Sequence, residues 1–239
     1  MSDLGGERTF GDRVIEPMES RSLNALPMCQ HAILSTTMDS LNWVFSLYAV
    51  VLGLTLAEVL TGFARSIRTR HSATLDGHRV VRLGLLTPLF AIWLMFDITS
   101  FWLVAWTVQD TISVNPLTLA FGLLASSFYY VAGSWVFPEE DTPTTDLNNH
   151  YFRLKSTVFS LVFASNLLSY MGRSWLTGSF GIPGFEHYDY AMFALYYLLQ
   201  LAGILVRGKT ANLAVLVCLL LLILDYISGI GTRIMHAIL

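Results

Sequence analysis

Three carboxylates, Glu58, Asp97 and Asp225, stand within runs of residues that are otherwise apolar. A charge placed in hydrocarbon costs about 2.5–3.5 kcal/mol on insertion scales, so such groups face a bundle interior, pair, or line water. Carboxylates in that setting can take up protons or cations, and a neighbouring arginine can lower their proton affinity or hold an anionic group. Asn166, Tyr170 and Arg173 fall at i, i+4 and i+7 and therefore share one helical face. Together with Asp97, Asp225, Tyr196 or Tyr197, and Thr232, they are expected to form one polar cluster. Tyr48, Thr55, Glu58, Gly62 and Arg65 form a second stripe at spacings of 7, 3, 4 and 3, which Gln200 and Tyr129 or Tyr130 would join. The expected substrate or ion pathway thus comprises Asp97, Asn166, Tyr170, Arg173, Asp225, Glu58, Arg65 and Gln200, in two clusters with an apolar middle.

Each group also has a structural explanation. Glu58 with Arg65 would serve as a capped, snorkelling helix end, and Asp97 would accept hydrogen bonds inside a bundle or carry a permanent proton. An Asp225–Arg173 pair would hold helices together without transporting anything. Gly122-x-x-x-Ser126, Gly133, Gly203 and Gly229 read as close-packing points rather than pore linings.

The elements that must position these groups follow from composition. Of 239 residues, 54% are hydrophobic and 13% charged, against about 25% charged in soluble domains. A soluble domain with so few charges could not cover its surface, and a lipid bilayer supplies the missing apolar solvent. Net charge is −3 with a pI near 6.0, which gives no support for nucleic-acid binding.

A spanning helix needs about 20 mostly apolar residues. Six stretches qualify: 41–63, 85–108, 117–137, 156–175, 190–206 and 211–234. The expected fold is therefore an all-α membrane protein, a bundle of six transmembrane helices over residues 38–239, following a disordered tail over 1–37. A re-entrant pair is the alternative for the fourth and fifth stretches. Residues 1–37 lack the apolar core of a signal peptide, and Met38 would serve equally as a start.

Direction follows from the basic residues. The first connector holds Arg65, Arg68, Arg70, Arg79 and Arg82, the third Arg153 and Lys155, and the fifth Arg207 and Lys209. By the positive-inside rule these connectors are cytoplasmic and both termini lie outside, in the plasma membrane (the inner membrane of a bacterium).

A weak internal repeat adds a functional hint. Residues 57–67 resemble 165–175, 90–98 resemble 193–201, and 129–133 resemble 225–229. The matches pair polar positions, Arg65 with Arg173, Glu58 with Asn166, and Asp97 with Gln200, although apolar helices resemble one another in any case. A duplicated three-span unit must insert in opposite directions, giving two inverted repeats as in many transporters and channels.

No cofactor is expected. Cys29 and Cys218 lack metal-ligand spacing, and the six histidines lie in the tail, in connectors, or at the C-terminus, away from positions for axial haem ligands. Hydrolase, zinc-protease and nucleotide-binding motifs are absent. The leading functional reading is a small transporter or channel in the lipid bilayer, with proton or cation coupling at Asp97 and Asp225. A second is an accessory or scaffold subunit, as a homo-oligomer or with a partner subunit. A membrane enzyme acting on a lipid-like substrate ranks third, for want of a nucleophile or metal set.

Overall fold

The computed structural model describes residues 45–68, 84–107, 115–138, 147–181 and 187–229, all within one compact unit, Leu41–Leu239. The tail over 1–37, the acidic loop at 139–146 and Thr232 lie outside the described residues. Among the described residues there are six α-helices and no strand: α1 Phe45–Arg68, α2 Leu86–Thr107, α3 Pro116–Val136, α4 Leu147–Thr177, α5 His187–Leu205 and α6 Lys209–Ser228. Four of them, α1, α2, α3 and α6, are long and apolar enough to cross a membrane. α4 and α5 carry more polar residues, including Arg153, Lys155 and Arg173 in α4 and Asp189 in α5.

The distribution of side chains is that of a membrane-embedded protein. Among the described residues ten polar or charged ones, Asp97, Lys155, Arg173, Gln200 and Asn212 included, are buried. Large apolar side chains such as Leu54, Leu124, Leu198 and Leu221 are exposed instead. Water would oppose so much apolar exterior, whereas lipid accepts it.

Local signals set the helix ends. Asn115 accepts a hydrogen bond from the Thr118 N–H at 2.8 Å while Pro116 takes the first helical position, where no N–H is needed. α6 stops at Ser228 because Gly229 adopts a left-handed φ of 62° and returns its N–H to the Asp225 carbonyl. The expected span to Ile234 therefore begins as helix but turns well before its end.

α4 differs in the other direction, beginning at Leu147, well ahead of Ser156. Leu147, Tyr151 and Lys155 recur every four residues and are buried together with Val158 and Phe159, so about two and a half amphipathic turns precede the apolar run.

Successive helices run in alternating directions. α3 packs most extensively on α4, with further contacts between α2 and α6, α4 and α5, and α5 and α6. α1 lies against α3, where the Tyr48 hydroxyl donates to the Thr118 carbonyl at 2.9 Å and Phe63 meets Phe137 edge to face. At one end of the assembly, hereafter the basic end, stand Arg65, Arg153, Arg207 and Lys209. There α2, α4, α5 and α6 interlock. Thr87 donates to the Leu147 carbonyl at 2.8 Å, Tyr151 to Asn212 Oδ1 at 2.9 Å, and Lys155 Nζ to the carbonyls of Gly203 at 2.7 Å and of Val206. The lysine cation thus lies against the C-terminus of α5, the favourable end of its dipole.

Candidate functional site

The opposite end opens into a cavity of about 420 Å³ to which all six helices contribute. On α2 its lining runs from Asp97 to Ala105. At ~1.5 Å per residue, Asp97 lies ~15 Å from the helix end at Thr107, so the cavity reaches to about the middle of a ~30 Å hydrocarbon layer.

Asp97 marks the deep end. It is 1% exposed, and its two carboxyl oxygens are held from separate helices. Tyr129 of α3 donates to Oδ2 at 2.8 Å, and Tyr196 of α5 donates to Oδ1. The Tyr129 hydroxyl also lies 3.0 Å from Asn166 Oδ1 on α4. Four helices thus converge on one carboxyl group, and the hydroxyl donors repay part of the desolvation that burial imposes. Directly beneath, one helical turn from Tyr196 and from Asp97, lie Gln200 and Trp93, both fully buried. Neither amide atom of Gln200 nor the indole N–H of Trp93 has a hydrogen-bond partner.

Arg173 and Asp225 flank the mouth. The Arg173 guanidinium donates to the carbonyls of Gly181 at 2.8 Å, Phe180 at 3.2 Å and Ser179 at 3.4 Å, and lies 5.7 Å from the centre of the Tyr170 ring. It therefore ties the segment after α4 to its own helix. Asp225 accepts from the Tyr188 hydroxyl at 3.0 Å. Aromatic rings from all six helices complete the wall, with Trp102, Phe121, Phe193, Tyr197 and Tyr226 among them.

Of the residues singled out from the sequence, Asp97, Asn166, Tyr170, Arg173 and Asp225 line this cavity together. Gln200 sits behind it, below Tyr196. Glu58 is exposed on α1 and Arg65 is half-buried at the basic end, and neither is among the lining residues. The expected second cluster is therefore redistributed. Tyr129 turns to Asp97, and Tyr48 reaches across to α3 and lines the cavity. The residues of the basic end that form polar links between helices, Tyr151, Lys155 and Asn212, were not singled out. Tyr151 and Lys155 follow one another at i, i+4 on the buried face of α4, which is the signal that marks them.

The basic end also holds a titratable group outside the apolar spans. A ring nitrogen of His150 lies 3.2 Å from the Trp135 carbonyl. Burial, with Arg153 adding to it, lowers the imidazole below its usual range against the opposing effect of that carbonyl. Among the described residues no group of three or more His, Cys, Asp or Glu is placed to hold a metal ion.

Fold and cavity together define a helical, membrane-embedded protein with a polar group buried at mid-depth. Compared with protein families, curated proteins and solved structures, the chain matches none.

Proposed function

We propose that the protein is a small transporter that spans the membrane six times, with the basic end in the cytoplasm and the cavity open to the outside. The observation that carries this reading is Asp97, buried at mid-depth, hydrogen-bonded from two helices and lining a cavity shared by all six. An ionisable group so placed is costly, and it is characteristic of proton or ion pathways. Protonation exchange at Asp97, in contact with the cavity, couples substrate to a proton or cation gradient. The location follows as the plasma membrane, with both termini outside by the positive-inside rule.

Two inverted three-helix halves form part of the proposal. Under the internal repeat Trp93 and Asp97 of α2 correspond to Tyr196 and Gln200 of α5. These four side chains meet at the centre, with Tyr196 donating to Asp97 and within electrostatic reach of both Gln200 and Trp93. A two-fold axis in the membrane plane passing between α2 and α5 would relate the two pairs.

The test is ion flux in proteoliposomes under proton and sodium gradients, comparing wild type with Asp97→Asn. Protein-dependent flux that falls at least ten-fold in the folded variant supports a carboxylate-coupled pathway. Wild-type protein no more active than empty liposomes shifts the reading to a scaffold subunit, and stoichiometric co-purification of a partner would then establish that role.

A further inference from the structure

The cavity's lining carries chemistry beyond the coupling carboxylate. Among the described lining residues there are three aspartates, Asp97 at the deep end and Asp189 and Asp225 at the mouth, and one arginine, Arg173. That guanidinium is already engaged with three main-chain carbonyls. Acidic side chains therefore outnumber basic ones on the described wall, and Asp97 lies deepest among them.

Eleven of the other lining residues are aromatic. Tyr170, Phe193 and Tyr197 form a continuous set, with Tyr170–Phe193 ring centres 5.8 Å apart and Phe193–Tyr197 4.8 Å apart. Phe45 and Trp102 meet edge to face at 5.8 Å on the facing wall. Ring faces attract cations through their quadrupole, most strongly where water is excluded, and assemblies of rings are the usual receptacle for alkylated ammonium groups.

From this combination we infer that the cavity binds a monovalent organic cation with an apolar or aromatic body, its charge directed toward Asp97 and its body held among the rings of α2, α4 and α5. An anion would meet three carboxylates, and a bare metal ion would leave the aromatic wall without a partner. This names the substrate class for the transport reading and rests on its outward-open cavity, but binding does not require movement, so the two fail separately.

Tetraphenylphosphonium and tetraphenylborate, nearly the same in shape and opposite in charge, are suitable probes. Each is titrated into the full-length protein in nanodiscs of neutral lipid, with tryptophan fluorescence and calorimetry as readouts. Saturable binding of the phosphonium is expected, with at least ten-fold weaker or no saturable binding of the borate. Asp97→Asn is expected to weaken phosphonium binding at least ten-fold. Asp225→Asn and Trp102→Leu are expected to weaken it several-fold and carry the test if Asp97→Asn does not fold.

Equal affinity for the two ions would overturn the inference, as would tighter binding of the borate. So would wild-type protein that is folded and binds neither, or phosphonium binding unchanged in every folded variant. Phosphonium binding without ion flux keeps the inference and removes the transport reading. Ion flux lost in Asp97→Asn without phosphonium binding does the reverse.

Discussion

At the basic end the space between helices is filled by rings: Phe90 stacks on Trp93 at 5.3 Å, Trp93 meets Phe159 at 4.8 Å, and Tyr151 closes on Phe90 at 5.2 Å. At the other end the same six helices stand apart around a cavity of about 420 Å³. The polar groups differ in the same sense. Lys155, Tyr151 and Asn212 join one helix to another and make a fastening. Asp97, Asn166 and Arg173 border the open space. One end is thus packed shut and the other is accessible to a ligand, and the boundary between them is the layer of Asp97, Tyr196, Gln200 and Trp93. Alternating access requires one side to be closed while the other is open, and the asymmetry supports the proposed transport reading in that sense.

The contrast is most directly broken through two glycines. A Cβ at Gly203 would come within 2.7 Å of the Phe159 ring, which is fully buried and wedged between Phe90 and Trp93. Gly203→Ala is expected to destabilise the protein by about 1–3 kcal/mol, the usual cost of overpacking. At Gly172, on the cavity wall, the nearest atom of Phe121 lies at 3.1 Å, and Phe121 is half-buried and borders the cavity. That ring can yield, so Gly172→Ala should cost less than about 1 kcal/mol. Denaturation of both variants in the same detergent measures the difference. Equal costs would mean that the two ends are equally tight.

Gln200 sharpens the boundary layer. Its amide is fully buried, makes no hydrogen bond of good geometry and has the Tyr196 hydroxyl in reach, and an unsatisfied buried polar group costs about 1–3 kcal/mol. Gln200→Met, nearly equal in volume, should therefore leave stability unchanged or raise it by about 1 kcal/mol. The same variant should lower ion flux if this layer conducts protons onward from Asp97. A loss of stability above about 1 kcal/mol would show that the amide is fastening helices, as Asn212 does.

Much of this arrangement is legible in the sequence, and its gaps have physical causes. Apolar run length locates six helices, of which four are long and apolar enough to cross a membrane. Helix ends are less legible. The first turns of α4 are amphipathic rather than apolar, and the end of α6 depends on the left-handed Gly229. Asn166, Tyr170 and Arg173 share a face by spacing alone, and they do meet Asp97 and Asp225 around one cavity. The second stripe calls for Tyr129 or Tyr130 beside Glu58 and Arg65, whereas Tyr129 donates to Asp97. Periodicity assigns a face within a helix but does not say which neighbour that face meets. Arg173 shows the same limit: its partners are main-chain carbonyls of residues 179–181, and main-chain acceptors leave no trace in residue type.

The smallest effect concerns pH and distinguishes the two ends by what it leaves untouched. His150 sits at the closed end against the Trp135 carbonyl, and burial lowers its affinity for a proton. In the unfolded chain a histidine titrates near 6.5. With the folded value below that, the unfolded state binds more protons between the two, so stability rises with pH across that interval. The contribution is complete above about 6.5 and is lost as pH falls toward the lowered folded value. His150→Gln should therefore flatten the decline in thermal stability on mild acidification, with little change at pH 8. It should also leave phosphonium binding unaltered at every pH, since the cavity lining does not include His150. If the variant changed ligand affinity and acid stability together, the closed end and the cavity would be coupled parts of one machine rather than independent regions. That outcome would place the gate at the α3–α4 contact instead of at the Asp97 layer.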